Sequence, residues 1–243
     1  MKKIFAFLVC ALAISSCSKH DPILPGVRCD IFDTTDVKVE NKEIPTLSEN
    51  IKDIYGDKNC EYKQDALNNI YLGETKVYTG FATESVVKSN QSPICAGNFI
   101  YTGLSTGEVV KISKITKKVV WIADVYRGNN LTGGAAVVDV VAHVGVDKNY
   151  VYAGGLGDAF CKLNVNSGKK IWCVNISVPV DFIMVDNFAF VVGTDNNLYA
   201  INTDNGSVYW KTEVKKQRPP KYDGQNITVG SQKIDYKNGD FRP

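Results

Sequence analysis

The chain is poor in the residue types from which most catalytic and metal sites are built. Its 243 residues include two histidines, His20 and His143, and no two of its seven cysteines stand in a Cys-x-x-Cys spacing. The thiolate pattern of a zinc site is therefore missing. No Ser or Cys motif stands near His143 to suggest a nucleophile and its base, and His143 reads as a packed or edge residue of an apolar strand. Charge of one sign is lacking too. Leaving out Lys2 and Lys3 brings 28 basic residues to 26, equal to the acidic count, and no basic run goes beyond Lys215-Lys216. That balance excludes the electrostatic footprint of a nucleic-acid binder. The apolar run Ile4 to Leu12 is far shorter than the roughly 20 residues of a membrane-spanning helix. Catalytic residues, metal ligands and cofactors are all expected to be absent.

What is present begins with a leader. Met1-Lys2-Lys3 is basic, Ile4 to Leu12 is apolar, and Ser18-Lys19-His20-Asp21 turns polar at once; this is the layout of an export signal. Its last residues, Ile14-Ser15-Ser16-Cys17, resemble the bacterial lipobox, in which small residues admit a peptidase and the cysteine thiol accepts lipid. Cys17 is the expected lipidation site, and the membrane is the expected partner of that lipid. Several acyl chains at about 0.8 kcal/mol per buried methylene hold a protein stably at a bilayer. Ser18, rather than Asp, follows the cysteine, which by the sorting rule of enteric bacteria implies the outer membrane, on its periplasmic face.

Residues 1–16 are thus read as a signal peptide and residues 17–68 as a lipidated tether, with Pro22, Pro25 and Pro45, many charges and little periodicity. From residue 69 to 214 the character changes to short β-branched and aromatic runs separated by Gly, Asn and Asp, the signature of many short strands. Residues 215–243 read as an irregular tail. Of the cysteines beyond Cys17, Cys161 and Cys173 are the pair to test for a disulfide, since they fall on strands expected to be neighbours; the alternative is that they are small buried hydrophobes.

Within the strand-rich region three segments superpose, beginning at Phe99, Tyr150 and Phe188. In each, an aromatic and β-branched run ends at a glycine, Gly103, Gly154 or Gly193, which is expected to open a turn. A second strand centres on Ile112, Leu163 or Ile201, and nine residues later stands Trp121, Trp172 or Trp210. Every tryptophan of the protein falls in this register. A third strand follows a polar turn in which Gly168 and Gly206 supply the positive φ of a tight hairpin. The first copy has Lys117 there and is the most degenerate, so Trp121 is expected to be held least firmly. The stretch Val178 to Val185 adds a fourth strand per unit, and four strands at a period near 40 residues is propeller arithmetic. An insertion from Arg127 to Val138, with Asn129-Asn130 and Gly133-Gly134, reads as a surface loop between units. The expected fold is all-β: a partial β-propeller of about three to four antiparallel four-stranded blades after a flexible lipidated tether. Each tryptophan is expected to end an outer-strand register and to pack between neighbouring blades.

The run Tyr199-Ala200-Ile201-Asn202, followed by Thr203-Asp204-Asn205-Gly206-Ser207-Val208-Tyr209-Trp210, resembles the repeat of pyrroloquinoline-quinone-type β-propellers. Together with the lipobox and the proline-bearing tether, it is similar to the BamB family of outer-membrane assembly lipoproteins. The resemblance implies a non-enzymatic scaffold that binds the barrel-inserting subunit of the assembly machinery, through inter-blade loops and strand edges. It also implies a closed ring of about eight blades. Here three repeats are recognisable, with remnants of one more around Ile70 to Val87. A truncated reading frame or completion by another chain would account for the difference. Two other readings stay open. A fragment of a quinoprotein dehydrogenase would need carboxylates converging on a calcium-held quinone, for which Asp181, Asp186 and Asp195 are available. A surface interaction module or adhesin would need only the anchor and the exposed sheets.

Overall fold

A computed structural model describes residues 37–57, 60–83, 92–126 and 137–242. The signal peptide, the lipobox with Cys17, and most of the 127–138 insertion lie outside them. Among the described residues there is no α-helix; the chain forms five antiparallel sheets. The first has three strands, β1 (Tyr62–Gln64), β2 (Ile70–Leu72) and β3 (Thr75–Tyr78). The second is β4 (Ile94–Ala96), β5 (Phe99–Gly103), β6 (Glu108–Ser113) and β7 (Val119–Asp124). The third is β8 (Gly145–Val146), β9 (Tyr150–Gly155), β10 (Ala159–Asn164) and β11 (Lys170–Val174). The fourth is β12 (Ile183–Val185), β13 (Phe188–Val192), β14 (Asn197–Asn202) and β15 (Val208–Glu213). The fifth is β16 (Lys221–Tyr222), β17 (Asn226–Val229), β18 (Gln232–Asp235) and β19 (Phe241–Arg242). In every sheet the strands pair in simple chain order, as expected of propeller blades.

Both faces of an inner sheet are buried, and this explains why the strands read as nearly continuous apolar runs. In the third sheet Val151, Ala153, Cys161 and Leu163 pack against Tyr101, Val109 and Trp121 of the second. From its other face Tyr152 and Phe160 pack against Met184, Ala189, Val191, Tyr199 and Ile201 of the fourth. Phe188, Phe190, Val192, Leu198 and Trp210 then meet Ile227, Val229, Ile234 and Tyr236 of the fifth. Ile70 and Tyr62 meet Ile100, Val110 and Ile112 where the first sheet meets the second.

The chain departs from the sequence expectation in three places. Residues 221–242, read as part of an irregular tail, form the fifth sheet. Its strands alternate, with Ile227, Val229 and Ile234 buried and Thr228 and Lys233 turned the other way. That face is polar and the tryptophan landmark is missing, which hid the repeat. Residues 37–57, read as tether, are bound to the sheets. Glu40 and Lys42 donate backbone hydrogen bonds to Val208 and Tyr209 (2.9 and 3.1 Å), Lys52 to Met184 (2.8 Å) and Asp57 to Cys95 (3.0 Å). Ile44, Leu47 and Ile54 are buried in the inter-sheet cores. These apolar residues, spaced among charges, carry no period, because they plug the seams of the stack, Ile44 and Leu47 between the fourth and fifth sheets and Ile54 between the third and fourth. Finally, within Val178 to Val185 only Ile183–Val185 pairs as a strand; Pro179 has no N–H to give to a ladder.

Candidate functional site

The inter-sheet locks are the most regular side-chain constellation in the molecule. Trp121 Nε1 donates to the Val165 carbonyl (3.1 Å), Trp172 Nε1 to Thr203 (3.1 Å) and Trp210 Nε1 to Tyr236 (3.0 Å). Each acceptor lies in the hairpin turn of the following sheet, and each indole lies on the glycine of that same turn. A Cβ on Gly168, Gly206 or Gly239 would stand 2.8 Å from the ring of Trp121, Trp172 or Trp210 respectively. These glycines also have φ of +69°, +78° and +82°, so two independent demands select glycine there. Lys117 takes the same left-handed conformation, with φ of 57°, and extends its amine to Tyr62 Oη (2.7 Å). A side chain is tolerated at that turn because no tryptophan of a preceding strand is seen on it. Trp121 is locked by Gly168 of the next sheet, so Lys117 does not loosen it.

Gly103, Gly154 and Gly193 do not form one structural set. Gly103 ends β5, Gly154 pairs with Phe160 inside β9, and Gly193 follows β13. The left-handed residues of these turns are Gly107, Asp158 and Asn196, each five positions before Ile112, Leu163 or Ile201. A Cβ on Gly154 would meet Val178 at 2.7 Å, so close packing and not φ requires glycine there.

Two lysines reinforce the locks. Lys111 and Lys162 stand opposite Trp121 and Trp172 in register. Lys111 Nζ donates to Val165 O and Lys162 Nζ to Thr203 O, both at 2.8 Å, so each carbonyl accepts from a lysine and a tryptophan. Their ammonium groups lie 3.9 Å from the Phe99 ring centroid and 3.7 Å from that of Tyr150, where a cation is attracted to the ring face. Burial lowers the pKa of both lysines. Ala200 holds the equivalent register position opposite Trp210.

His143, two residues before β8, faces Asp181 before β12. Its Nδ1 lies 2.9 Å from Asp181 Oδ2 and its backbone N–H donates to Oδ1 at 2.8 Å. The Asp181 hydrogen bond raises the imidazole pKa against the opposing effect of burial. Burial pulls the Asp181 carboxyl upward, but the His143 hydrogen bonds and charge together hold it low. Tyr55 packs edge-on to the imidazole and donates its hydroxyl to the Phe182 carbonyl. The pair joins the segments that lead into the third and fourth sheets. The other acids expected as possible ligands are elsewhere. Asp186 accepts from the Ser48 amide and hydroxyl, both at 2.7 Å. Asp195 accepts from Asn197 across its own turn (2.7 Å). These two turns flank the five-residue strand β13, roughly 17 Å of extended chain, so the carboxylates do not share a site. Among the described residues no three His, Cys, Asp or Glu cluster as metal ligands.

Two disulfides are present among the described residues. Cys161–Cys173, the pair singled out from the sequence, joins β10 to β11, and Cys60–Cys95 joins the segment before β1 to β4. Sequence reasoning missed the second, since nothing local relates residues 60 and 95. It also missed Gly239, although Lys237-Asn238-Gly239 repeats the polar turn of Asp204-Asn205-Gly206.

The family described as outer membrane protein assembly factor BamB matches residues 77–217. The chain belongs to this family. An outer membrane protein assembly factor BamB of Legionella pneumophila (strain Paris) is 24% identical over 152 residues, covering 61% of this chain and 40% of the relative. That of Kangiella koreensis is 20% identical over 134 residues, covering 55% and 34%. The chain thus spans 40% or less of the length of these curated relatives. Among solved structures, BamB from Moraxella catarrhalis superposes with a TM-score of 0.51 at 14% identity, over 79% of this chain and 66% of that one. A quinohemoprotein alcohol dehydrogenase from Pseudomonas putida HK5 gives 0.53 at 12% identity, over 74% and 39%. The likenesses to solved structures establish the propeller-type fold and do not distinguish assembly factor from enzyme.

Proposed function

We propose that this protein is a lipid-anchored, non-enzymatic scaffold of the machinery that assembles β-barrel proteins in the outer membrane. The observation that carries the reading is the BamB family match, which spans 77–217 and so takes in every inter-sheet tryptophan. Asp181, Asp186 and Asp195, the acids a quinone enzyme could have used, are engaged separately in packing a seam and ordering turns, which favours a scaffold over a cofactor cradle. Two disulfides suit an oxidising compartment outside the cytosol, in line with the leader at Met1-Lys2-Lys3. Lipid on Cys17 would hold the sheets at the periplasmic face of the outer membrane, and the partner would be the barrel-inserting subunit.

Photo-crosslinking in intact cells tests this, with crosslinkers placed in the exposed turns and the captured proteins identified by mass spectrometry. Capture of the barrel-inserting subunit is the expected result, together with an acyl mass shift on Cys17 that Cys17→Ala abolishes. A membrane-bound chain that never crosslinks to that subunit would overturn the scaffold role. An unmodified Cys17 in a soluble chain would overturn the anchor alone.

A further inference from the structure

The two disulfides occupy contrasting places. Cys161 lies in the middle of β10, fully buried against the second sheet, and Cys173 is directly opposite it on β11. The strand β11 ends its sheet and Cys173 is exposed. This exposure belongs to the register position and not to the cysteine. In the second sheet the equivalent pair is buried Val110 opposite Ile122, which is 46% exposed, and in the fourth it is buried Tyr199 opposite exposed Lys211. Outer-strand residues on this side of each sheet reach solvent. The other disulfide is set differently. Cys60 is half-buried and Cys95 is buried in β4, in the seam between the first and second sheets, and the Cys95 carbonyl accepts from Asp57 of the crossing segment.

The cross-link on β11 is also flanked by other contacts that hold the strand. On either side of it Phe160 pairs with Val174 and Lys162 with Trp172, and Trp172 is tied to Thr203 of the next sheet. The sheet therefore retains its ladder with the sulfurs apart. Cys60–Cys95 closes a sequence separation of 35 against 12 for Cys161–Cys173, and longer loops carry more of the stabilisation in the chain-entropy account.

We propose that Cys161–Cys173 is a reversible redox site, opened by a dithiol reductant while the protein stays folded, and that Cys60–Cys95 is a permanent structural link. Exposed disulfides are the labile class in thiol–disulfide exchange. A thiolate of the reductant attacks Cys173 Sγ, on the exposed residue of the pair, and breaks the bond to Cys161. Cys161 leaves as a thiolate and takes up a proton, and Cys173 is held in a mixed disulfide. The second thiol of the reductant attacks that disulfide, releasing Cys173 as a thiol and the reductant as its own disulfide. Two electrons pass to the protein. The outer strand β11 and Trp172 are then held by hydrogen bonds and packing alone.

The test uses the full chain in graded ratios of reduced to oxidised dithiothreitol under native conditions. Free thiols are trapped by a mass-tagged alkylating agent and located by peptide mapping, and circular dichroism follows the fold. Cys161 and Cys173 should be tagged at a reductant ratio at least tenfold lower than Cys60 and Cys95, with the sheet signal unchanged. Opening of both disulfides together, opening of Cys60–Cys95 first, or opening of Cys161–Cys173 only on unfolding would each overturn the proposal. A Cys60→Ala, Cys95→Ala chain supplies the second arm. If it folds, its remaining disulfide should open at the same ratio as in the parent, and a tenfold or larger shift counts against independence of the two sites.

Discussion

The seam between the third and fourth sheets and the seam between the fourth and fifth use the same tryptophan-on-glycine lock but are completed differently. At the first, Lys162 shares the Thr203 carbonyl with Trp172 and lies against Tyr150. At the second, Ala200 replaces the lysine, and residues from far away in sequence complete the core. Ile44 and Leu47 are buried there, Ile44 donates its backbone N–H to Lys237 (2.8 Å), and Tyr222 Oη donates to the Ser48 carbonyl (3.1 Å). The first seam thus adds a polar pin where the second relies on apolar packing and backbone hydrogen bonds. Both seams take residues of the N-terminal segment, Ile54 at the first and Ile44 and Leu47 at the second, but the lysine pin is present only at the first.

Removing the lock itself should have the largest effect. Trp172→Ala and Trp210→Ala are each expected to cost about 3 to 5 kcal/mol, read as a lowered midpoint in urea unfolding; losses below about 1 kcal/mol would mean the sheets are not stacked as described. Trp121→Ala should match them, since its contact with Gly168 is equivalent. Next comes the plug. Leu47→Ala or Ile44→Ala should cost about 2 to 5 kcal/mol and raise hydrogen exchange in 221–242 while leaving 150–174 unchanged. Equal exchange in both regions would erase the distinction between the seams. The lysine pin is smaller. Lys162→Met leaves Thr203 O with its tryptophan donor, so a loss of about 1 kcal/mol is expected, whereas Lys211→Met, on an exposed outer strand, should change nothing measurable.

The smallest effect concerns pH. The folded-state pKa of His143 is raised, so its stabilising contribution is complete below the unfolded value of about 6.5 and is lost as pH rises through the folded value. Asp181 is held low, so its share is present above about 3.9 and disappears as pH falls through its folded value. The stability difference between the parent and His143→Gln should therefore be greatest near pH 5 to 6 and shrink toward pH 8.5. With side chains 29% and 37% exposed, solvent screening keeps it under about 1 kcal/mol. A difference that grows with pH would reverse the assignment.

The locks were the most legible part of the molecule, because Trp121, Trp172 and Trp210 sit nine residues after a strand centre and need only local spacing to be seen. Their partners were half legible. Gly168 and Gly206 announced themselves through turn chemistry, but that chemistry explained φ and not the indole lying on them, so Lys117 looked like decay when its turn simply carries no such ring. Lys111 and Lys162 gave no sign, since a lysine in a strand reads as solvated until the neighbouring sheet supplies a carbonyl and an aromatic face. The pairing of His143 with Asp181 was equally hidden, because the two belong to different sheets.

The sequence by itself determined the strands, hairpin turns and repeat of the three sheets that carry a tryptophan, because side-chain alternation and positive-φ turns are local properties of a few consecutive residues. Tertiary structure alone decided which residues meet across the seams: Ile44 with the fifth sheet, Cys60 with Cys95, His143 with Asp181. Those contacts depend on the order and stacking of whole sheets, and no periodicity in the chain records what a neighbouring sheet will bring.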